Sequence, residues 1–418
     1  MLQGTKRRSR VTKLTATLVV GLVAVAGCSS ATKDQNGLKP AGKIARDDYN
    51  IFRSFFFVAA VIGIGVLVAT VFVALRFRER PGNENPKQTH GNTVLEISWT
   101  ILPALILAVM AVFTVKMIWD QAAKPKGALE ITVTGKQWWW QYQYTNYTPG
   151  GEFGAKTSDK QVVTANELHI PAGVPVWITL KSDNVNHSFW IPSLAGTKDM
   201  IPGHLNHVKM IADTSAIGKT FYGQCKQYCG LSHADMRATA KVQSKADFDT
   251  WYRGQLDHWT DAQFAKWGEF NKKWGCSSCH YIQGLNAKAD GTLFYDSKLD
   301  ADVQSGKTPV APNLGPNLTH LRDRSVFASA KYSLLDAQGN LTIDKLWQWI
   351  WDAPLHGTGG GSDKIGKPNS CPHRSAEGTT GIGTPCLVGM PSFKNDPLHP
   401  MTQEQAKEIA NFLLGTNQ

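Results

Sequence analysis

Two apolar stretches decide what this chain can fold into. Phe55 to Leu75 carries no charge, and Val94 to Met117 follows after a polar break, with Glu96 near its start and Lys116 near its end. Each can cross a bilayer as a helix of ~20 residues. The break holds Arg76, Arg78, Arg80 and Lys87 against Glu79 and Glu84. Basic loops stay cytoplasmic, so the pattern predicts a two-helix transmembrane hairpin over 51–120 with both flanks outside.

The front of the chain agrees. Lys6, Arg7, Arg8, Arg10 and Lys13 precede a short apolar run, Leu18 to Val25, the layout of a secretory leader over 1–27. Val25-Ala-Gly-Cys28-Ser-Ser resembles a bacterial lipoprotein cleavage box. That resemblance implies cleavage before Cys28 and a diacylglycerol on its sulfur, hence contact with membrane lipid; an ordinary leader with an incidental cysteine is the alternative. Residues 28–50 read as a polar tether. The formal charge of +11 is uneven: residues 1–124 carry 16 basic and 7 acidic side chains, 125–245 carry 12 and 8, and 246–418 carry 16 and 18. Much of the excess lies in the leader and beside the spans, where it sets topology, so no nucleic-acid partner is expected.

Residues 121–245 read as short strands. Leu129-Glu-Ile-Thr-Val-Thr alternates, as does Val174-Pro-Val-Trp-Ile-Thr-Leu, with Gly and Pro turns between. The spacing suggests an all-β Greek-key barrel or sandwich. Within it stands Cys225-Lys-Gln-Tyr-Cys229-Gly-Leu-Ser-His233-Ala-Asp-Met236, and upstream His187 in Asn-His-Ser-Phe-Trp. Two thiolates and two imidazoles could hold zinc, but a thioether is a poor zinc ligand and a common axial copper ligand. One copper does not need so many donors. Two coppers bridged by both sulfurs do, each with one histidine and one weak axial ligand. A disulfide or a zinc knuckle is the bland alternative.

This set resembles the binuclear copper motif of cytochrome c oxidase subunit II. The resemblance implies a cupredoxin fold with His187, Cys225, Cys229, His233 and Met236 as side-chain ligands and the backbone carbonyl of Gln227 as the remaining one. The family usually has Glu at 227, whose side chain also helps bind magnesium at the boundary with subunit I; glutamine here leaves that ion open. Glu96-Ile-Ser-Trp99-Thr-Ile-Leu-Pro103 is similar to a family signature in which the glutamate lies at the mouth of a proton pathway; an interfacial carboxylate is the alternative. Gly135-Lys-Gln-Trp138-Trp-Trp-Gln-Tyr142 is similar to the family's aromatic run, implying that electrons arrive at Trp138 on the surface. Tryptophans in strands more often serve packing. The family has Arg where His204 stands. His169, His204, His207, His258 and His320 fit no ligand spacing and read as surface or structural.

Residues 246–275 show helical spacing, with 246–261 expected as a linker. Cys276-Ser-Ser-Cys279-His280 is a c-type haem attachment site, in which two thiols bind the haem covalently and the histidine sits under the iron. A redox dithiol is the rival reading. The rest resembles an all-α class I cytochrome c over 262–418. Gly315-Pro316-Asn317-Leu318 is similar to the loop whose proline carbonyl holds the axial histidine, and Gly389-Met390-Pro391 to the segment supplying the sixth ligand. His280 and Met390 stand 110 residues apart, long for a minimal cytochrome c. The extra residues 355–388 contain Cys371 and Cys386; a disulfide there would close a loop of about 16 residues and add ~3 kcal/mol, two reduced thiols being the alternative.

Together these readings describe a multidomain chain: a transmembrane hairpin, a cupredoxin-like domain and a cytochrome c domain, with both metal domains outside a bacterial cytoplasmic membrane. The resemblance implies subunit II of a proton-pumping oxidase, with subunits I and III as partners. A covalent haem c would pass electrons through the copper pair to haem a in subunit I, after receiving them from a quinol-oxidising complex or a soluble cytochrome c. Rivals are the electron-accepting subunit of a nitric-oxide reductase and a copper-delivery protein. The latter would lack the His233 and Met236 continuation and the segment from Glu96 to Pro103.

Overall fold

Two long helices open the structure, a computed structural model that describes residues 35–78, 90–154, 161–230, 232–278, 280–287, 293–296, 298, 315–352, 393–394 and 400–416. They are α1 (Lys43–Arg76) and α2 (Thr93–Ala122). Both are long and apolar enough to cross a bilayer, and their most apolar stretches are not buried among the described residues, so both can face lipid. Asn92 caps α2, its side chain accepting from the Val94 and Leu95 N–H groups.

The expected tether over 28–50 is corrected in its described part. The Ala41 N–H donates to Ser193 O at 2.7 Å, and Lys43 N–H to Ile211 O at 2.9 Å. Ile44 is buried in the core of the following domain, and Arg46 clamps both carboxylate oxygens of Asp213 at 2.6 and 2.9 Å. Polar composition concealed this, because backbone pairing makes no demand on side-chain hydrophobicity.

Among the described residues the β domain holds ten strands. Its larger sheet has the order β3-β2-β1-β5-β8, from β1 (Leu129–Lys136), β2 (Trp139–Tyr144), β3 (Val162–Ala165), β5 (Val176–Ser182) and β8 (Asn206–Met210). The smaller has the order β4-β10-β9, from β4 (Glu167–Pro171), β9 (Thr220–Gln224) and β10 (Arg237–Gln243). β6 (His187–Phe189) pairs with β7 (Lys198–Met200). β1 runs parallel to β5 and antiparallel to β2, and β10 parallel to β4 and antiparallel to β9. Parallel neighbours far apart in sequence require crossing connections, so this is a cupredoxin-like arrangement rather than a meander. Ile131, Val133, Trp140 and Tyr142 fill the space between the sheets.

The residues expected as a linker begin with helix α3 (Lys245–Gly254), which belongs to the β domain's core. Ser244 caps it through the Asp247 N–H. Phe248 and Tyr252, one turn apart, are buried against Tyr144 and Tyr147. A second core follows, built from α4 (Asp261–Trp274), α5 (Asp344–Asp352) and α6 (Gln403–Leu414), with Trp267, Phe270, Leu346, Ile409 and Leu413 inside. The all-α expectation needs correcting: the described residues also form two short ladders, β11 (Leu285–Ala287) with β12 (Leu293–Tyr295), and β13 (Val326–Phe327) with β14 (Tyr332–Ser333). In the second, Phe327 and Tyr332 pair across the strands, ring centroids 5.5 Å apart, and both lie on Trp349. Such cross-strand aromatic pairs stabilise a short ladder.

Candidate functional site

The segment from Cys225 to Met236 is the loop between β9 and β10. The Cys225 N–H donates to Met236 O at 2.8 Å and closes its base, while Lys226 N–H donates to Ser188 O at 3.1 Å and ties it to β6. That second tie brings His187 over the loop. Among the described residues, His187, Cys225 and Cys229 form a buried group whose ligand atoms all lie within 4.8 Å of one another.

The donors are arranged in two matching halves. The two Sγ atoms are 3.8 Å apart. Cys225 Sγ lies 3.9 Å from His187 Nδ1 and 3.2 Å from Gln227 O. Cys229 Sγ lies 3.6 Å from His233 Nδ1 and 3.7 Å from Met236 Sδ. Each sulfur therefore has one imidazole nitrogen and one weaker donor beside it. Two soft cations sharing both sulfurs fit this set; a single tetrahedral zinc leaves the thioether and the carbonyl unused.

The protons are shared unequally. The Cys225 thiol is pushed down, first by its hydrogen bond with Cys229 and against the cost of burial, while Cys229 is pushed up. Metal binding at both sulfurs must displace the protons they carry.

Three residues that the spacing did not reveal set the geometry. His187 Nε2 lies 3.1 Å from Asn184 Oδ1, which turns Nδ1 toward the sulfurs. Asn184 Nδ2 donates to Gln137 Oε1 at 3.2 Å, and Gln137 Nε2 donates to Cys229 O at 2.8 Å. At Gly135, a Cβ would stand 2.8 Å from His187 Cδ2, so only glycine lets the ring sit there. Gln137 lies in the aromatic run already singled out; Asn184 had no signal beyond its nearness to His187.

Trp138 is placed differently from the expectation. Its Nε1 donates to the same Cys229 carbonyl at 3.0 Å, but the residue is only 4% exposed. The turn between β13 and β14 lies on it, with Ser329 Oγ donating to Trp138 O. A segment 191 residues away in sequence bonds to its main chain, which no local pattern could indicate.

In the C-terminal part, Gly275 ends α4 in a left-handed conformation, and Cys276 opens a tight turn. The His280 N–H donates to Cys276 O at 3.0 Å, and His280 Nδ1 lies 3.0 Å from Pro316 O. That bond fixes the ring and leaves Nε2 for a metal. A Cβ on Gly315 would stand 2.6 Å from His280 Cε1. The Trp274 indole nitrogen, two residues before Cys276, is buried with no partner among the described residues. These features fit a haem bound at Cys276 and His280. Cys28, Cys279, Cys371, Cys386 and Met390 lie outside the described residues.

Glu96 sits exposed in the first turn of α2. His204 is exposed on the turn after β7. His169 is buried and structural: its ring stacks on Trp251 at 4.1 Å, with Nε2 2.8 Å from Glu167 Oε1. His320 holds Asp257 O at 2.9 Å.

Comparison with known proteins identifies the family. Residues 129–243 match the family model for the periplasmic domain of cytochrome c oxidase subunit II, and residues 32–117 match the one for its transmembrane domain. The chain is 31% identical over 264 residues to cytochrome c oxidase subunit 2 of Alkalihalophilus pseudofirmus, an alignment spanning 60% of this chain and 72% of that protein. It is 31% identical over 271 residues to that of Bacillus subtilis, again spanning 60% and 72%. The crystallised periplasmic domain of subunit II from Bradyrhizobium japonicum is 27% identical, with a TM-score of 0.27 and 31% of this chain and 95% of that one covered. The chain therefore belongs to the cytochrome c oxidase subunit II family, whose periplasmic domain implies a binuclear copper centre, and it is a membrane-anchored subunit of that oxidase.

Proposed function

We propose that this chain relays single electrons from a c haem in its own C-terminal domain, through a binuclear copper pair, to haem in subunit I, where oxygen is reduced to water with proton pumping. The observation that carries the reading is the two-halved donor set at Cys225 and Cys229, in the same chain as a Cys276–His280 turn whose histidine is held by Pro316 O. When bound, copper and haem supply one-electron chemistry; the chain's own residues hold them and exclude water.

The proposed copper ligands are His187, Cys225, Gln227 O, Cys229, His233 and Met236. Asn184 orients the first imidazole, and Gln137 and Trp138 fix the Cys229 carbonyl. Cys276, Cys279 and His280 would hold the haem, with Met390 as the sixth ligand. Haem held by one imidazole and one thioether would supply electron transfer rather than oxygen binding. Exposed Ile201 and Leu205 follow Met200, which pairs with His187, and offer an apolar contact for subunit I.

The test is spectroscopic. The purified full chain in its complex should give c-type haem bands, a mixed-valence near-infrared band and seven-line copper hyperfine splitting. Zinc, or one isolated cupric ion per chain, defeats the copper assignment. Absent haem bands defeat the relay.

A further inference from the structure

We infer that the β13–β14 hairpin is the chain's own occupant of the face beside Trp138, and that it shuts outside donor proteins away from the copper loop. The inference rests on reading Cys225 to Met236 as that loop. It goes further by naming what lies on the loop and what is thereby excluded.

Three contacts join the hairpin turn to residues next to the proposed ligands. Ser329 Oγ donates to Trp138 O, and the Trp138 indole in turn holds Cys229 O. The Arg237 N–H, one residue after Met236, donates to Ser329 O at 3.1 Å. Lys331 Nζ lies 3.0 Å from Asp235 Oδ2, one residue before Met236, and the two side chains are only 10% and 16% exposed.

The turn takes an unusual form to make them. Ala328, Ser329 and Ala330 have φ of 47°, 57° and 57°, a run of left-handed residues with no glycine. L-residues adopt that conformation where surrounding contacts hold it. The strands behind the turn are anchored too, since Phe327 and Leu334 lie in the C-terminal core.

Flanking contacts keep the hairpin from acting as a free flap. Asn317 Nδ2 donates to Val163 O at 3.0 Å, and the Ser325 N–H donates to Glu167 Oε2 at 3.1 Å. Asn317 follows Pro316, the residue that holds His280. The same docking that covers Trp138 thus fixes the histidine loop against the β domain. An external protein would have to break a partly buried ion pair and a backbone bond to reach this face. Removing one partner of such a pair leaves the other charge poorly compensated.

Hydroxyl-radical footprinting of the full chain, read by mass spectrometry, tests this directly. Trp138 should be protected in the natural protein. Lys331→Glu should raise its oxidation about tenfold, equivalent to about 1.4 kcal/mol of lost docking. Trp140, buried against His187 and Phe189, should not change. Lys331→Arg should keep the protection, and Ser329→Ala should raise Trp138 oxidation less than Lys331→Glu does. A second readout uses an added ferrous soluble cytochrome, which loses one electron as the copper pair gains one. In the natural protein copper should be reduced only after the haem; in Lys331→Glu it should be reduced directly. Trp138 oxidised as fast as an exposed tryptophan in the natural protein overturns the inference, as does unchanged protection in both Lys331→Glu and Ser329→Ala. Should Lys331→Glu fail to load copper, Ser329→Ala with intact hyperfine splitting decides. A natural protein lacking haem or paired copper sinks the relay reading instead, and the footprint still reports on the hairpin.

Discussion

At the residue scale, the ligands and the residues that aim them differ in how visible they are. Cys225, Cys229, His233 and Met236 lie within twelve positions, so their spacing alone suggests a soft metal site. Gln137 and Gly135 act through contacts that exist only once the fold brings the end of β1 close to the metal loop and to His187. Asn184 acts through a local contact whose direction spacing does not give. Their effect should be measurable. Asn184→Ala removes the acceptor facing His187 Nε2, and loss of such a partner typically weakens metal affinity by about 10–100-fold. Chelator competition followed by copper analysis reads this, with unchanged loading as the contrary result. Gly135→Ala should act more severely, because its Cβ would stand 2.8 Å from His187 Cδ2 with no flexible end to yield. The seven-line splitting should collapse while far-ultraviolet circular dichroism stays unchanged. At the other centre, Gly315→Ala would press on His280 at 2.6 Å, and the expected outcome is an altered low-spin haem spectrum in the intact chain.

At the element scale, α3 shows what periodicity reveals and what it leaves out. Phe248, Trp251 and Tyr252 recur at helical spacing, so the helix is legible. Periodicity marks an apolar face without naming the surface that covers it. Here that surface is Tyr144 and Tyr147, with His169 stacked on Trp251. The linker reading failed for this reason, and the tether reading failed similarly where Ala41 and Lys43 pair through their backbones. If α3 is part of the core, Phe248→Ala should destabilise the β domain by about 3–5 kcal/mol, as truncation of a fully buried phenylalanine does. Urea unfolding of the full chain, followed by the loss of the copper absorption, measures it. A change typical of an exposed linker, within about 0.5 kcal/mol, would falsify the assignment.

At the scale of the whole molecule, net charge misdescribes the contact between the two outer domains. The β domain is the more basic by count, yet at the contact it supplies the carboxylates, Asp235 and Glu167, and the C-terminal domain supplies Lys331 and Arg324. Glu167, which His169 holds within the β domain and Ser325 holds across the contact, gives the folded chain a pH dependence. Burial alone would raise its value, but hydrogen bonds from His169 and Ser325, with Lys241 nearby, hold it down to about 2 from an ordinary 4.5. The charged form is therefore the one the folded protein favours. Its contribution is complete above about 4.5 and disappears as pH falls toward 2, and the difference corresponds to about 3 kcal/mol. Glu167→Gln should remove this acid-sensitive step. It should also weaken docking at neutral pH, since the Ser325 N–H and hydroxyl of the C-terminal domain lose their charged acceptor. Urea midpoints of both proteins, measured from pH 7 down to pH 2, separate the cases. The natural protein should lose stability more steeply than the variant between about 4.5 and 2, and the two curves should converge at the acid end. Parallel curves throughout that window would mean that the Glu167 carboxylate does not stabilise the folded chain.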